Sequence, residues 1–132
     1  LAVRLTNYAN EMVAGVYLAR GEAIKRNTNI RLCASSDASS CASSGGWAQG
    51  WIVMDPNNFV IQKQSGLDNG FSLVESGSGI HTLTFDSVGY VDVSTTFKLC
   101  RRDPSVGYQE RQISISNNGR ANVTRTELGT CP

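Results

Sequence analysis

Residues 1–27 read LAVRLTNYANEMVAGVYLARGEAIKRN, and the spacing of apolar residues within them decides the fold. Leu5, Tyr8, Met12, Val13, Val16, Tyr17 and Ile24 recur at steps of three and four, the period of an α-helix with one buried face. No proline interrupts the run. Gly15 and Gly21 weaken it, each by about 1 kcal/mol relative to alanine where exposed. Arg20, Lys25 and Arg26 stand near the C-terminal end, where cations complement the helix dipole. Asn27 closes it, because asparagine tolerates the left-handed conformation of a helix C-cap. A helix over 1–27 is about 39 Å long at 1.5 Å per residue. Beyond Asn27 almost nothing repeats at helix period. The chain therefore divides into a long helix, 1–27, and a β-rich region, 28–132.

That second region alternates in short runs. Asn29–Ala34 sets Ile30, Leu32 and Ala34 against Arg31 and Cys33, as a strand does. Ser35–Gly46 is a loop of small residues holding Cys41. Gly50–Met54 is strongly apolar. Asp55-Pro56-Asn57-Asn58 is a turn, and Phe59–Gln64 returns as the second half of a hairpin. Trp47 and Trp51 read as core residues. After the loop Gly66–Gly70 come strands over Phe71–Glu75 and Ile80–Phe85, the latter with Leu83 and Phe85 on one face. Tyr90–Ser94 and Thr96–Cys100 form two strands or one bent strand. Arg101–Tyr108, with Pro104 and Gly107, reads as a loop. Arg111–Ser116 and Arg120–Thr124 flank Asn118-Gly119, the strongest short hairpin signature. The expected architecture is α+β: one helix, then roughly seven to nine short antiparallel strands in a single domain spanning 1–132.

The formal net charge is +1, which points to no polyanionic partner for the molecule as a whole. Its distribution is uneven. Residues 1–32 and 98–132 are basic on balance, whereas 33–97 carry six acidic residues against Lys63 alone. The four cysteines are Cys33, Cys41, Cys100 and Cys131. None forms a C-x-x-C pair and there is a single histidine, so a structural zinc site is not expected. An even count in a small β-rich chain points to disulfides and an oxidising compartment. Three connectivities are open; the local pairing, Cys33–Cys41 and Cys100–Cys131, is the simplest. No apolar run is long enough to span a membrane, and no signal peptide is present. A helix that begins at the first residue without a cap reads as one cut part-way along. Leu1, Val3 and Leu5 are apolar on nearly all sides, as if the first turns faced partners outside the domain.

Catalytic chemistry is poorly represented. The only histidine, His81, falls within a strand. Asp37, Asp55, Asp68 and Asp86 lie in turns, where aspartate caps backbone amides. There is no phosphate loop, dinucleotide fingerprint or calcium loop. The expectation is a protein with no enzymatic role, no cofactor and no metal.

Three features occur in a telling order. They are the helix end Arg20-x-Glu22-Ala23-Ile24, the Cys33–Cys41 stretch NIRLCASSDASSC, and Trp47-x-x-Gly50-Trp51 before Asp55. With ISISNNGR near the end, the chain resembles the periplasmic domain of type IV minor pilins and type II secretion pseudopilins, the FimU/FimT/GspH group. The resemblance implies a type IV pilin-like fold, with the long helix packed on antiparallel sheet. It implies a structural subunit that helps initiate or cap a pilus, packing against other minor pilins and the major pilin through its helix. It also implies a preceding single-pass segment in the inner membrane, and a C-terminal disulfide between Cys100 and Cys131.

Other readings stay open at this stage. One is the H pseudopilin of a type II secretion system. Another is DNA binding. Some FimT-like relatives use a Gly-Arg-x-Arg motif for that purpose, and here Gly119-Arg120-Ala121-Asn122 lacks its second arginine. Arg120, Arg125, Arg111 and Lys98 are the candidate nucleic-acid contacts. A third is an adhesin using the Ser35–Gly46 loop, or a secreted enzyme.

Overall fold

The computed structural model describes residues 2–68, 70–76, 79–102 and 105–125. Helix α1 spans Ala2–Arg26. Eight strands follow: β1 Ile30–Ala34, β2 Gly50–Met54, β3 Val60–Ser65, β4 Phe71–Glu75, β5 Thr82–Phe85, β6 Thr95–Arg102, β7 Ser105–Ile115 and β8 Ala121–Arg125. A short 3₁₀ turn, Trp47–Gln49, precedes β2. All pairings are antiparallel and build two four-stranded sheets, one ordered β3-β2-β1-β5 and the other β4-β6-β7-β8.

The helix packs on both sheets through Leu5, Ala9, Met12, Val16, Ala19 and Ala23, all buried. Their steps of four and three make one narrow stripe. Half of this stripe is alanine. Small side chains bring the helix axis close to the sheets, while Tyr8, Val13 and Leu18 pack along its margins. Two expectations change here. Ile24 faces solvent at 45% exposure, because Ala23 is the residue of that turn that meets the core. Leu5 is fully buried within the protein, so it does not face outside partners; the side chains of 1–3 lie outside the described residues. The helix ends as its sequence indicates. Asn27 takes φ 54°, and the Thr28 amide donates to Ala23 O at 3.1 Å, a left-handed cap.

Strands β1 and β2 of the first sheet are buried on both sides, which explains why β2 is apolar throughout. Ile30, Leu32, Ala34, Trp51 and Val53 face the main core. Cys33, Ile52 and Met54 form a second cluster on the opposite face, joined by Ala38, Cys41 and Val60. The small-residue loop covers that face and is stapled to β1 by the Cys33–Cys41 disulfide. Cys100 is also disulfide-bonded, and Cys131 lies outside the described residues. Breaking the first bridge in a Cys33→Ser/Cys41→Ser variant should cost about 2.6 kcal/mol by loop-closure entropy for a sequence separation of 8. Chemical denaturation of the two proteins measures it.

Asp37 is the internal scaffold of that loop. Its carboxylate accepts from the Ser39 and Ser40 amides at 2.9 and 3.0 Å, and from the Ser40 and Ser35 hydroxyls at 2.8 and 3.0 Å. Those donors, led by the Ser39 and Ser40 amides, hold its pKa well below the ordinary carboxylate range. A depressed folded-state pKa contributes stability above the unfolded value, near 3.9, that is lost only as pH falls through the folded value. The Ser39 and Ser40 amide resonances should therefore not titrate as pH falls from about 5 to about 3, and in Asp37→Asn they should move toward random-coil positions at every pH.

Three tight turns share one design. In Asp55–Phe59, Asp86–Tyr90 and Ser116–Arg120 the fourth residue donates to the first carbonyl, and the first amide donates to the fifth carbonyl. Their fourth residues, Asn58, Gly89 and Gly119, all have positive φ. This is the type I turn followed by a left-handed residue that closes three-residue hairpin loops. Asp55 and Asp86 each cap two amides of their own turn through Oδ1.

Two further expectations fail. Tyr90–Ser94 is no strand: Val91 makes only an isolated bridge to Phe85. Arg101–Tyr108 is not an open loop either. Strand β6 runs to Arg102 and β7 resumes at Ser105, paired with it, so the β6–β7 ladder extends over most of the stretch. Pro104 lies outside the described residues.

Candidate functional site

Among the described residues no single chemical centre stands out. His81 places Nε2 2.8 Å from Gly45 O, donating to that carbonyl and tethering the loop. Among the described residues no group of three or more His, Cys, Asp or Glu side chains is placed to hold a metal. Also among the described residues, no helix is long and apolar enough to cross a membrane.

The four basic candidates do not form one surface. Lys98 is in register with Gln112, whereas Leu99 is in register with Arg111. Lys98 therefore points to the face opposite that of Arg111 and Arg125, which are paired across β7 and β8. Lys98 lies 3.7 Å from the Glu110 carboxylate. Arg111 is only 5% exposed and donates to Glu110 O at 2.9 Å. Burial first, and then the charge of Arg125, lower its pKa. Arg120 stands exposed beside the β7–β8 turn. Arg120 and Arg125 are thus the exposed arginines of this set, on one edge strand and its turn.

The distinctive surface is the outer side of α1. Asn7, Asn10, Ala14, Tyr17, Gly21 and Ile24 are all exposed. They recur at steps of three and four, opposite the buried stripe. None is charged, although the helix carries six charged residues, among them Arg4, Glu11 and Glu22 beside this face and Lys25 where it ends. Gly21 has no atom within 4 Å of where a Cβ would stand, so neither packing within the protein nor backbone conformation requires glycine there. Tyr17 is partly tied down: its hydroxyl donates to Ala121 O and accepts from the Ala121 amide. Sequence periodicity placed Tyr17 and Ile24 in the core because it weighted large apolar residues. The alanines that are buried carry little weight in such a reading.

A long N-terminal helix on antiparallel sheets, with its far side left bare, defines the type IV pilin-like class. Three comparisons narrow this. The chain belongs to the family of the type II transport protein GspH, whose sequence model matches residues 8–119. In fold it is similar to the type IV minor pilin FimU of Pseudomonas aeruginosa, at 24% identity and TM-score 0.72 over 91% of this chain and 87% of that one. It is also similar to the minor pseudopilin EpsH from the type 2 secretion system of Vibrio cholerae, at 14% identity and TM-score 0.67 over 92% and 97% of the two chains. No curated protein sequence matches it. The class is one of structural subunits of fibres.

Proposed function

We propose that the protein is a minor pilin, a structural subunit that helps initiate or cap a type IV pilus by packing with other minor pilins and the major pilin. The observation that carries this reading is the uncharged, exposed stripe Asn7–Ile24, opposite the buried face of α1. A helix that serves only its own domain places charge on its far side; one that also joins a helical bundle keeps that side short and neutral. Residues 1–132 act as one periplasmic unit, held to the inner membrane by a segment preceding residue 1. Disulfide-bonded Cys33, Cys41 and Cys100 suit that oxidising compartment. Helical fibres use head-to-tail contacts, so one face of each subunit meets a different face of the next.

The secretion pseudopilus is the second reading, favoured by the family description, type II transport protein GspH. Both readings use the same stripe and differ in partners. The test is capture of soluble domains of minor pilins, and separately of pseudopilins, by the disulfide-bonded protein. Binding to minor pilins is expected, and Gly21→Arg, which adds a bulky charge where nothing within the protein is in contact, should abolish it with the fold intact. Gly21→Ala should raise stability by about 0.5–1 kcal/mol. Binding to pseudopilins alone moves the protein to the secretion system, and binding to neither ends the proposal.

A further inference from the structure

The first sheet is wider than the helix that covers it. Helix α1 packs over β1 and β2, and β3 is the edge strand beyond them. Gln64 is in register with Trp51, and Gln62 with Val53, so both glutamines point to the helix side of the sheet. A groove of about 340 Å³ runs between them and the flank of α1. Its helix wall is Glu11, Ala14, Gly15 and Leu18 and its floor is Trp51 and Val53.

Glu11 stands out within this groove. Its Oε2 is buried and accepts no hydrogen bond, and Glu11 takes part in none of the ion pairs among the described residues. Every other described acidic side chain has a polar partner or projects from a turn or loop. A partly buried carboxylate left unpaired is costly unless a donor reaches it. Gly15 keeps the slot open beside it: a Cβ there would stand 3.3 Å from the Trp51 indole nitrogen. The walls are aliphatic and aromatic, and the rim carries the amide groups of Gln62 and Gln64. Such a shape suits a long side chain whose stem is apolar and whose head is a planar cation. A guanidinium spreads five N–H donors over one plane, so it can pair with the carboxylate through Oε1 and still donate to the two glutamine carbonyls.

We propose that this groove receives an arginine side chain presented by a neighbouring pilin-type subunit, paired to Glu11. The inference rests on the assembly role proposed above and adds to it a recognition element beside the neutral stripe. The stripe, being uncharged, gives contact with little selectivity. Glu11 supplies register, since a cation reaches it from one position along the helix only. The pairing is also salt-sensitive to the extent that it is exposed at the rim.

The experiment measures binding of the disulfide-bonded protein to soluble domains of other minor pilins, and compares wild type with Glu11→Gln and Gly21→Arg. Glu11→Gln keeps the shape of the side chain and removes its charge. It should weaken binding by about tenfold or more and flatten the salt dependence, while its thermal midpoint is no lower than that of wild type. Gly21→Arg should abolish binding through the stripe. Unchanged affinity and salt dependence in Glu11→Gln, with Gly21→Arg inactive, overturns the groove and leaves the assembly role standing. If the wild type binds no minor pilin and no pseudopilin, both fall together.

Discussion

Gly119→Ala should lower stability by about 3–5 kcal/mol, among the largest losses expected of any single methyl group in this protein. Gly119 has φ 80°, where an L-residue costs roughly 1–2 kcal/mol. The larger part is steric. A Cβ at Gly119 would stand 2.1 Å from the Gly89 carbonyl oxygen and 3.1 Å from Arg20 Cδ. Gly89 belongs to another copy of the same turn design, so two turns meet backbone to backbone. The contact cannot open without loss. The Val91 amide donates to Asn117 O at 3.0 Å, and Arg20 Nε donates to Asn118 O at 3.3 Å. Moving the β7–β8 turn outward breaks both, and with them a tie between helix, loop and second sheet. Gly79→Ala separates the two causes. Gly79 also has positive φ, but no atom lies within 4 Å of its Cβ position, so it should cost only about 1 kcal/mol. Urea midpoints at constant m-value give the comparison.

What the sequence conveyed follows from which interactions are local. The helix, its Asn27 cap, the β2–β3 hairpin and the β7–β8 hairpin all rest on contacts within a few residues, and each was legible. So was the split of β1 into two faces, because alternation is a local pattern. The extent of β6 and β7 was not. Pro104 and Gly107 read as loop, yet β6 reaches Arg102 and β7 begins at Ser105 in register with it, and such pairing depends on how two long strands meet, which no local pattern carries. Tyr90–Ser94 shows the converse: its alternation was adequate for a strand, but only Val91 finds a bridge. The alanine stripe of α1 was missed for another reason. Ala9, Ala19 and Ala23 are buried for their smallness, and an apolar period counts them as weakly as it counts exposed alanines such as Ala14. For the basic residues, the resemblance grouped Lys98 and Arg111 as candidate contacts, whereas strand parity sends them to opposite faces. The groove holding Glu11 had no sequence signature, since it arises from a sheet one strand wider than its helix.

Trp47→Ala should cost about 3–5 kcal/mol and is the sharper test of how the two sheets are joined. Trp47 is 1% exposed and sits in the short turn between the stapled loop and β2. Its ring meets Phe97 of the second sheet edge-to-face, with centroids 5.0 Å apart and planes at 83°, a geometry that aromatic quadrupoles favour. Its indole nitrogen donates to Ile80 O at 2.9 Å, fixing the segment that leads into β5. One side chain thus bridges the loop, β6 and the approach to β5. Truncation leaves a cavity lined by three elements that are each held elsewhere by hydrogen bonds, so collapse around it is limited and the cost stays near the upper end. It also leaves the Ile80 carbonyl without its donor. Trp47→Phe keeps most of the ring contact but cannot donate, and should lose only about 1–2 kcal/mol. If Trp47→Ala instead falls below about 2 kcal/mol, the sheets are joined mainly through α1, and the tryptophan serves the loop alone. Equilibrium unfolding of both variants, followed by near-ultraviolet circular dichroism from the remaining Trp51, distinguishes the two cases.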